Sequence, residues 1–277
     1  MRYVAIALAA LTATLATPAA AQERGAAPDL ELWRLDCGEI HVSNLDVFSD
    51  AYLYAGREKT LTDSCYLIRH GSRYLLWDTG LPAEAQRAPQ GSGPFRLTLR
   101  TTIREQLRRI NVRPEQVSFV GISHYHDDHT GQAADFPSAA LLIGTEDWAA
   151  IGARPDAAAR FQPWLAGGGR VEQVARDHDV FGDGSVVMLD LPGHTPGHHA
   201  LLVRLPRTGP VLLSGDLFHF HENLLNRGVP SFNTDRAETL ASYDRFLAVA
   251  RSLGATIIIQ HEPADIGKLP AFPDSAR

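Results

Sequence analysis

The chain has little cysteine, no excess of positive charge and, beyond its N-terminal end, no long apolar segment. Its two cysteines, Cys37 and Cys65, are too few and too far apart for a zinc ribbon. In an oxidising compartment they could pair with each other, and two buried free thiols are the alternative. The formal net charge is −6, a sign that repels phosphate backbones and argues against a nucleic-acid partner.

The one long apolar stretch belongs to residues 1–21. Arg2 is followed by an apolar run over residues 4–16 and by three small residues at 19–21, which are the three parts of a secretory signal. We therefore predict a signal peptide over 1–21 and a single mature domain over 22–277, located in the periplasm or secreted. After residue 21 no segment approaches the about 18 apolar residues of a membrane span, so no membrane contact is expected after cleavage.

Short apolar segments recur along the rest of the chain with the length of buried β-strands. We predict a strand over 31–40 and a hairpin over 65–77 that turns at a His-Gly-Ser sequence. Residues 44–63 and 82–94 are predicted to be surface loops, because the first lacks periodicity and the second is rich in Pro, Gly and Gln. Further apolar strands are predicted over 117–122, 140–143, 186–191, 210–213 and 256–260.

Helical periodicity separates these strands. One amphipathic helix is predicted from the spacing of Leu99, Ile103, Leu107 and Ile110, with Pro114 beyond its end. Another is predicted over 145–151. Near the C-terminus, Asp235 and Glu238 form a capping box. The helix that follows presents Leu240, Tyr243, Leu247 and Ala250 on one face and ends at Gly254. This alternation of strands and helices predicts an α/β protein.

Histidine is the residue type with an unusual distribution. The chain has twelve histidines, and nine of them lie in four short clusters, each just after a predicted strand. Loops at strand ends are where ligands are commonly bound, so the clusters predict a site there. The clustered residues are His124, His126 and His129; His194, His198 and His199; His219 and His221; and His261.

The first cluster contains the motif His-x-His-x-Asp-His. Alternate residues of an extended segment face the same way, so His124 and His126 can bind one metal ion. Asp128 and His129 are displaced toward the following turn and can bind a second ion. One motif therefore predicts two half-sites.

Both half-sites need further ligands from other strand ends. His194, Asp216 and His261 are the candidates, and the two oxygens of Asp216 suit a carboxylate that bridges two metals. Any one histidine taken alone is more often structural, but the agreement of spacing and strand-end placement favours metal. The predicted first site is His124, His126, His194 and Asp216, and the second is Asp128, His129, His261 and Asp216.

The order of these residues resembles that of the metallo-β-lactamase superfamily over essentially the whole mature length. The resemblance implies a single-domain αββα sandwich with two divalent metal ions per chain. Zinc is the default expectation. Because no cysteine is a ligand, the set of nitrogen and oxygen ligands also accepts iron, manganese or cobalt.

Within the superfamily, N-acyl homoserine lactone lactonases resemble this chain most closely. The similarity lies in size, in the Leu-Asp-Cys-Gly and Trp-Asp-Thr-Gly segments, and in the ligand set with its aspartate. Glyoxalase II carries a helical domain after the last histidine, the flavin-linked di-iron branch has glutamate where His126 stands, and the nuclease branch needs nucleic-acid-binding elements. Third-subclass β-lactamases have serine in place of Asp216.

The resemblance implies a hydrolase that opens the lactone ring of N-acyl homoserine lactones through a metal-bridging hydroxide, which is quorum quenching. Asp128 would relay the proton. Lactonases of this group have a tyrosine three residues after the bridging aspartate; His219 occupies that position here and is expected to hold the carbonyl oxygen. The expected partner is the small acyl lactone, and a homodimer is left open.

Three alternatives remain at this point: an organophosphate hydrolase of the methyl parathion type, a third-subclass β-lactamase, and an exported metal-binding protein without enzymatic activity. Several neighbouring residues are assigned no ligand role. His198 and His199 are predicted to support the ligands or to pack, His221 to lie in a loop, and Asp78 to form a turn or hold a ligand loop. Phe218, Phe220 and Phe232 are equally compatible with core and with a pocket wall.

Overall fold

The computed structural model describes residues 29–166 and 168–277, and the predicted signal peptide lies outside them. Within the described residues, twelve strands form two sheets. The strands are β1 (Leu30–Val42), β2 (Lys59–His70), β3 (Arg73–Trp77), β4 (Phe95–Thr98), β5 (Val117–Ile122), β6 (Ala140–Gly144), β7 (Val171–Val174), β8 (His178–Asp179), β9 (Val186–Asp190), β10 (His199–Leu205), β11 (Gly209–Leu213) and β12 (Thr256–Ile258). One sheet has the order β4-β1-β2-β3-β5-β6-β7 and the other the order β12-β11-β10-β9-β8.

Helices cover the outer faces of both sheets. A first core cluster joins the seven-stranded sheet to the helices over Ile103–Arg109 and Thr145–Gly152 and to the segment after them. A second cluster lies between the sheets, and a third joins the five-stranded sheet to the helix over Arg236–Leu253. This arrangement confirms the predicted αββα sandwich. The helices are α1 (Ile103–Arg109), α2 (Asp127–Thr130), α3 (Thr145–Gly152), α4 (Pro155–Ala158), α5 (Gln162–Leu165), α6 (His221–Asn226) and α7 (Arg236–Leu253).

The first hairpin differs from its prediction at one end. β2 and β3 turn at Gly71, whose φ of 59° favours glycine, as predicted. However, the predicted loop over 44–63 is too long, because Lys59 already belongs to β2. Thr60, Leu61 and Thr62 pair with β1, so backbone hydrogen bonds extend this strand where side-chain periodicity gave no signal.

The first amphipathic helix starts later than predicted. Thr102 is its N-cap and forms a capping box with Glu105, so α1 begins at Ile103 and Leu99 precedes it. Leu99 packs instead into a separate core cluster beside β4, a strand that the sequence did not predict. α7 agrees with its prediction: Asp235 accepts a hydrogen bond from the Glu238 N–H, and Gly254 ends the helix with φ 60°.

The two cysteines form a disulfide that ties β1 to β2, and both are fully buried. Cys37 lies at an irregularity of the β1–β2 register between Asp36 and Gly38. A side chain on Gly80 would meet the Cys37 Cβ at 2.4 Å, so the disulfide packs directly against the Asp-Thr-Gly loop that follows β3. The alternative of two free thiols is wrong. None of the helices in the described ranges has the length and hydropathy of a membrane span.

Candidate metal centre

The predicted ligands come from four loops that follow strands of both sheets. His124 to His129 follow β5, and His194 lies between β9 and β10. Asp216 follows β11, while His261 follows β12, which pairs parallel to β11. Neighbouring parallel strands end at the same sheet edge, which brings Asp216 and His261 together. Residues that are up to about half the chain apart thus share one site.

The first half-site is a cluster of three imidazoles. His126 Nδ1 lies 2.9 Å from both His124 Nε2 and His194 Nε2, and the latter two atoms are 3.2 Å apart. Asp216 Oδ2 is 3.6 Å from His124 Nε2 and 3.5 Å from His194 Nε2. The four ligand atoms lie within 4.8 Å of one another and could hold a metal ion.

The second half-site contains two imidazoles and two carboxylates. His129 Nε2 and His261 Nε2 are 3.3 Å apart, and Asp216 Oδ1 lies 3.1 and 2.9 Å from them. Asp128 approaches the same nitrogens at 3.8 and 3.7 Å. This group could also hold a metal ion. Asp216 therefore presents one oxygen to each half-site, as expected for a bridging ligand.

The spacing of the donor atoms fits divalent metal ions. In tetrahedral coordination at 2.0–2.1 Å, ligand nitrogens are about 3.3 Å apart, and the nitrogens of the first half-site are 2.9 to 3.2 Å apart. Such crowding of imidazole nitrogens is unfavourable without a shared cation or proton between them.

The other ring nitrogen of each of four histidines has a partner. His129 Nδ1 lies 2.9 Å from Asp78 Oδ2. In the other three histidines, Nδ1 lies beside an oxygen atom that can accept a hydrogen bond from Nδ1–H. This tautomer leaves Nε2 free to bind a cation. The contacts are Ser123 Oγ at 3.0 Å for His124, Asn233 Oδ1 at 2.8 Å for His194, and the Thr62 carbonyl at 2.8 Å for His261.

Asp78 is the supporting residue that the sequence singled out. It is fully buried and, besides contacting His129, accepts hydrogen bonds from the Ser123 N–H and from Gln260 Nε2. It therefore joins the loops after β3, β5 and β12 and holds His129 in place. Of the two roles considered for Asp78, the structure favours support of a ligand loop.

Asp147 on α3 is a supporting residue that sequence reasoning missed. Its buried carboxylate accepts hydrogen bonds from the N–H of Tyr125, between two ligands, and from the Thr195 hydroxyl and the Gly197 N–H beside His194. Burial raises the pKa of Asp147 to about 6, against the opposing effect of these hydrogen bonds. Its signal was an acidic residue in the first turn of a helix directly after a buried strand.

Burial and charge set the protonation of the site. Burial lowers the pKa of His126 to about 4. Burial also disfavours protonated His261, but the adjacent Asp216 carboxylate outweighs it and raises the pKa of His261 to about 9. Burial would raise the pKa of Asp216, yet the surrounding imidazoles, His129 first, hold it well below its usual range. Asp216 therefore attracts positive charge into the second half-site.

His219 lies inside the site. It is buried, its Nε2 is 3.0 Å from Asp216 Oδ2, and its ring packs against Phe48 with centroids 4.5 Å apart. It also lines the cavity that contains the metal ligands. His219 therefore lies beside the bridging carboxylate and faces the cavity, and its role toward a substrate stays a prediction.

The other histidines have supporting positions. The His198 ring accepts the Asp216 N–H at Nε2 and donates from Nδ1 to the Leu191 carbonyl, so it supports the bridging carboxylate. His199 donates to the Gly197 carbonyl. His221, predicted in a loop, instead begins α6 and pairs with Asp265 at 2.8 Å.

A cavity of about 660 Å³ has residues of both half-sites in its wall, namely His126, Asp128, Asp216 and His261. Of the three phenylalanines considered, Phe232 lines it, whereas Phe218 packs under α7 against Tyr243 and Phe220 belongs to the core near Tyr54. The cavity therefore has an apolar side next to the ligands. That side consists of Ile40, Phe48, Leu61, Phe95, Leu97 and Phe232.

Fold and site together define a class. Residues 60–261 match the family model of the metallo-beta-lactamase superfamily, and the chain belongs to that superfamily. Its relatives include N-acyl homoserine lactonases. AttM of Rhizobium radiobacter is 32% identical over 232 residues, which are 75% of this chain and 85% of the relative. AttM of Azorhizobium caulinodans is 28% identical over 76% of this chain and 86% of the relative.

A solved structure has the same fold. The crystal structure of a quorum-quenching N-acyl homoserine lactone hydrolase superposes with a TM-score of 0.76 at 24% identity, covering 88% of this chain and 97% of that one. The resemblance drawn from the sequence to this superfamily and to its lactonase branch is confirmed.

Proposed function

We propose that the protein is a dinuclear metal-dependent hydrolase that opens the lactone ring of N-acyl homoserine lactones. The observation that carries this proposal is Asp216, whose two oxygens face the two half-sites. The lactonase relatives support the substrate class. The product would be an N-acyl homoserine, formed by adding water across the ring ester.

We propose that His124, His126, His194 and Asp216 bind one metal, and Asp128, His129, His261 and Asp216 the other. Zinc is the proposed ion, because nitrogen-rich four-ligand sites suit it. Bound divalent ions supply Lewis acidity, which lowers the pKa of water and polarises a carbonyl oxygen.

Two residues are proposed to act on the substrate. Asp128 is partly exposed at the cavity wall, so its carboxylate can take a proton and pass it to the leaving ring oxygen. His219 can donate a hydrogen bond to the lactone carbonyl oxygen as negative charge develops there. Asp128 and His219 lie on the same cavity, where one substrate can contact both.

The apolar side of the cavity is proposed to receive the acyl chain. Phe48, Phe95 and Leu97 come from the loop after β1 and from β4, whereas Phe232 comes from the segment before α7. Each buried methylene contributes about 0.8 kcal/mol. Acyl chains of several carbons should therefore bind more tightly than acetyl.

We also propose that the mature protein is exported. Residues 1–21 have the parts of a secretory signal, and a buried disulfide suits the periplasm or the extracellular space.

Steady-state hydrolysis by the purified protein of N-hexanoyl-L-homoserine lactone, a cephalosporin and methyl parathion tests the function. We expect kcat/KM for the lactone to exceed that for the β-lactam by at least about 100-fold, or about 2.7 kcal/mol. Metal analysis should give about two ions per chain, and a chelator should abolish activity until metal is restored. A better rate with the β-lactam, or full activity after metal removal, would contradict the proposal.

A further inference from the structure

Arg154 is a cationic side chain in a cavity wall that consists mainly of proposed metal ligands, carboxylates and apolar residues. It is the residue directly before α4, at which its side chain forms no capping hydrogen bond, and it lines the same cavity as Asp216 and His261. Among the described residues that line this cavity, Arg154 is the only arginine, and none is a lysine. Arg154 is exposed, and Asp127 and Asp128 line the same cavity.

The guanidinium is held by the metal motif itself. Its central carbon lies 4.6 Å from the ring centroid of Tyr125, the residue between His124 and His126. Tyr125 is fixed in turn, because its backbone N–H donates to the buried Asp147. Contact with a ring covers the face of a guanidinium and leaves the N–H groups at its edge available as donors.

We propose that Arg154 binds the amide carbonyl oxygen of the acyl group and so selects N-acyl lactones over simple alkyl lactones. This inference rests on the proposed function. The acyl arm of a substrate whose ring ester reaches the metal ligands lies in the same cavity, whose wall includes Arg154. The amide carbonyl oxygen next to the ring is a hydrogen-bond acceptor and needs a donor. Ionised Asp127 and Asp128 cannot supply one, because carboxylates only accept hydrogen bonds.

The nearby Arg160 provides a contrast. Arg160 forms an ion pair with Asp127 and is absent from the described lining of the cavity. Its role is to hold the start of α2, whereas Arg154 faces the space that a substrate would enter. The two arginines of this segment therefore have separate functions.

The test measures kcat/KM of Arg154→Met, Arg154→Lys and the wild type with N-hexanoyl-L-homoserine lactone and with γ-decalactone, which has no amide. A hydrogen bond from a charged donor supports a loss of about 10- to 100-fold for the acyl homoserine lactone in Arg154→Met, mainly through KM. The loss for γ-decalactone should stay below about 3-fold. Arg154→Lys keeps the charge without the planar fork and should be intermediate.

Arg251→Met, at an exposed arginine on α7, is the matched control and should leave both substrates unaffected. Metal content and Tm should be unchanged in all variants. Equal losses on both lactones, or an unchanged preference between them in Arg154→Met, would overturn the role of Arg154 alone. Wild-type protein that hydrolyses neither lactone would instead contradict the proposed function on which this inference rests.

Discussion

The disulfide between Cys37 and Cys65 permits a quantitative test of stability. The bond closes a loop with a sequence separation of 28 residues. For a loop of that length, the loss of chain entropy in the unfolded state is about 12 cal/mol/K, which stabilises the folded protein by about 3.6 kcal/mol at 25 °C. For a domain of this size that corresponds to about 7–14 °C in Tm.

Replacement by alanine and chemical reduction should give the same result. Either single variant, Cys37→Ala or Cys65→Ala, removes the whole bond, so the double variant should lose little more stability than each single one. Both sulfurs are buried in the core between β1, β2 and α1, and the lost packing adds a smaller cost.

Urea unfolding followed by circular dichroism, with and without a reductant, measures these free energies. A reductant should lower the stability of the wild type and leave the alanine variants unchanged. Titration of the urea-unfolded, unreduced wild type should detect no free thiol. Detection of two free thiols would refute this reasoning. It would also be refuted if each single variant lost less than about 1 kcal/mol of unfolding free energy and the two losses added in the double variant.

Two further predictions concern single side chains. His219→Ala should lower kcat for the lactone by about 10- to 1,000-fold with metal content intact, as for loss of one oxyanion donor. The control variant His221→Ala, at a histidine paired with Asp265, should have a near-normal kcat. A normal kcat in His219→Ala would remove His219 from the mechanism. Partial burial raises the pKa of Glu222, but hydrogen bonds from Lys59 and Arg57 outweigh it and lower the pKa to about 2 from 4.5. The resulting stability, about 1 kcal/mol after solvent screening, is present above about pH 4.5 and is lost as pH falls toward 2. Urea unfolding should therefore show Glu222→Gln less stable than the wild type at pH 7, with a difference that shrinks as pH falls from about 4.5 toward 2. A difference that does not change with pH would contradict the ion pair.

Local chemistry accounts for the part of the site that the sequence predicted. His124, His126, Asp128 and His129 lie within six consecutive residues, so an extended segment followed by a turn is enough to divide them between two half-sites. His194, Asp216 and His261 could be added because each follows an apolar strand. The structure brings all seven together.

Supporting contacts between distant loops were harder to predict. Asn233 contacts His194 across 39 residues, and Asp147 contacts Thr195 across 48. Asn233 has no periodic or motif signal, and the acidic position of Asp147 after a buried strand does not identify its partners. The partners of both residues are determined by how the loops meet. The sequence also missed β4, whose four residues form a strand only because β1 is beside them.

The sequence by itself determined the α/β class, the strand-end placement of the ligands and the spacing of the metal motif, because these depend on residues that are near each other in the chain. Only the tertiary structure decided that Cys37 reaches Cys65, that His219 faces Asp216, and that Phe218 is core while Phe232 lines the cavity. The physical reason is that strand register and sheet packing bring these partners together. Both depend on long-range contacts whose geometry no local pattern specifies.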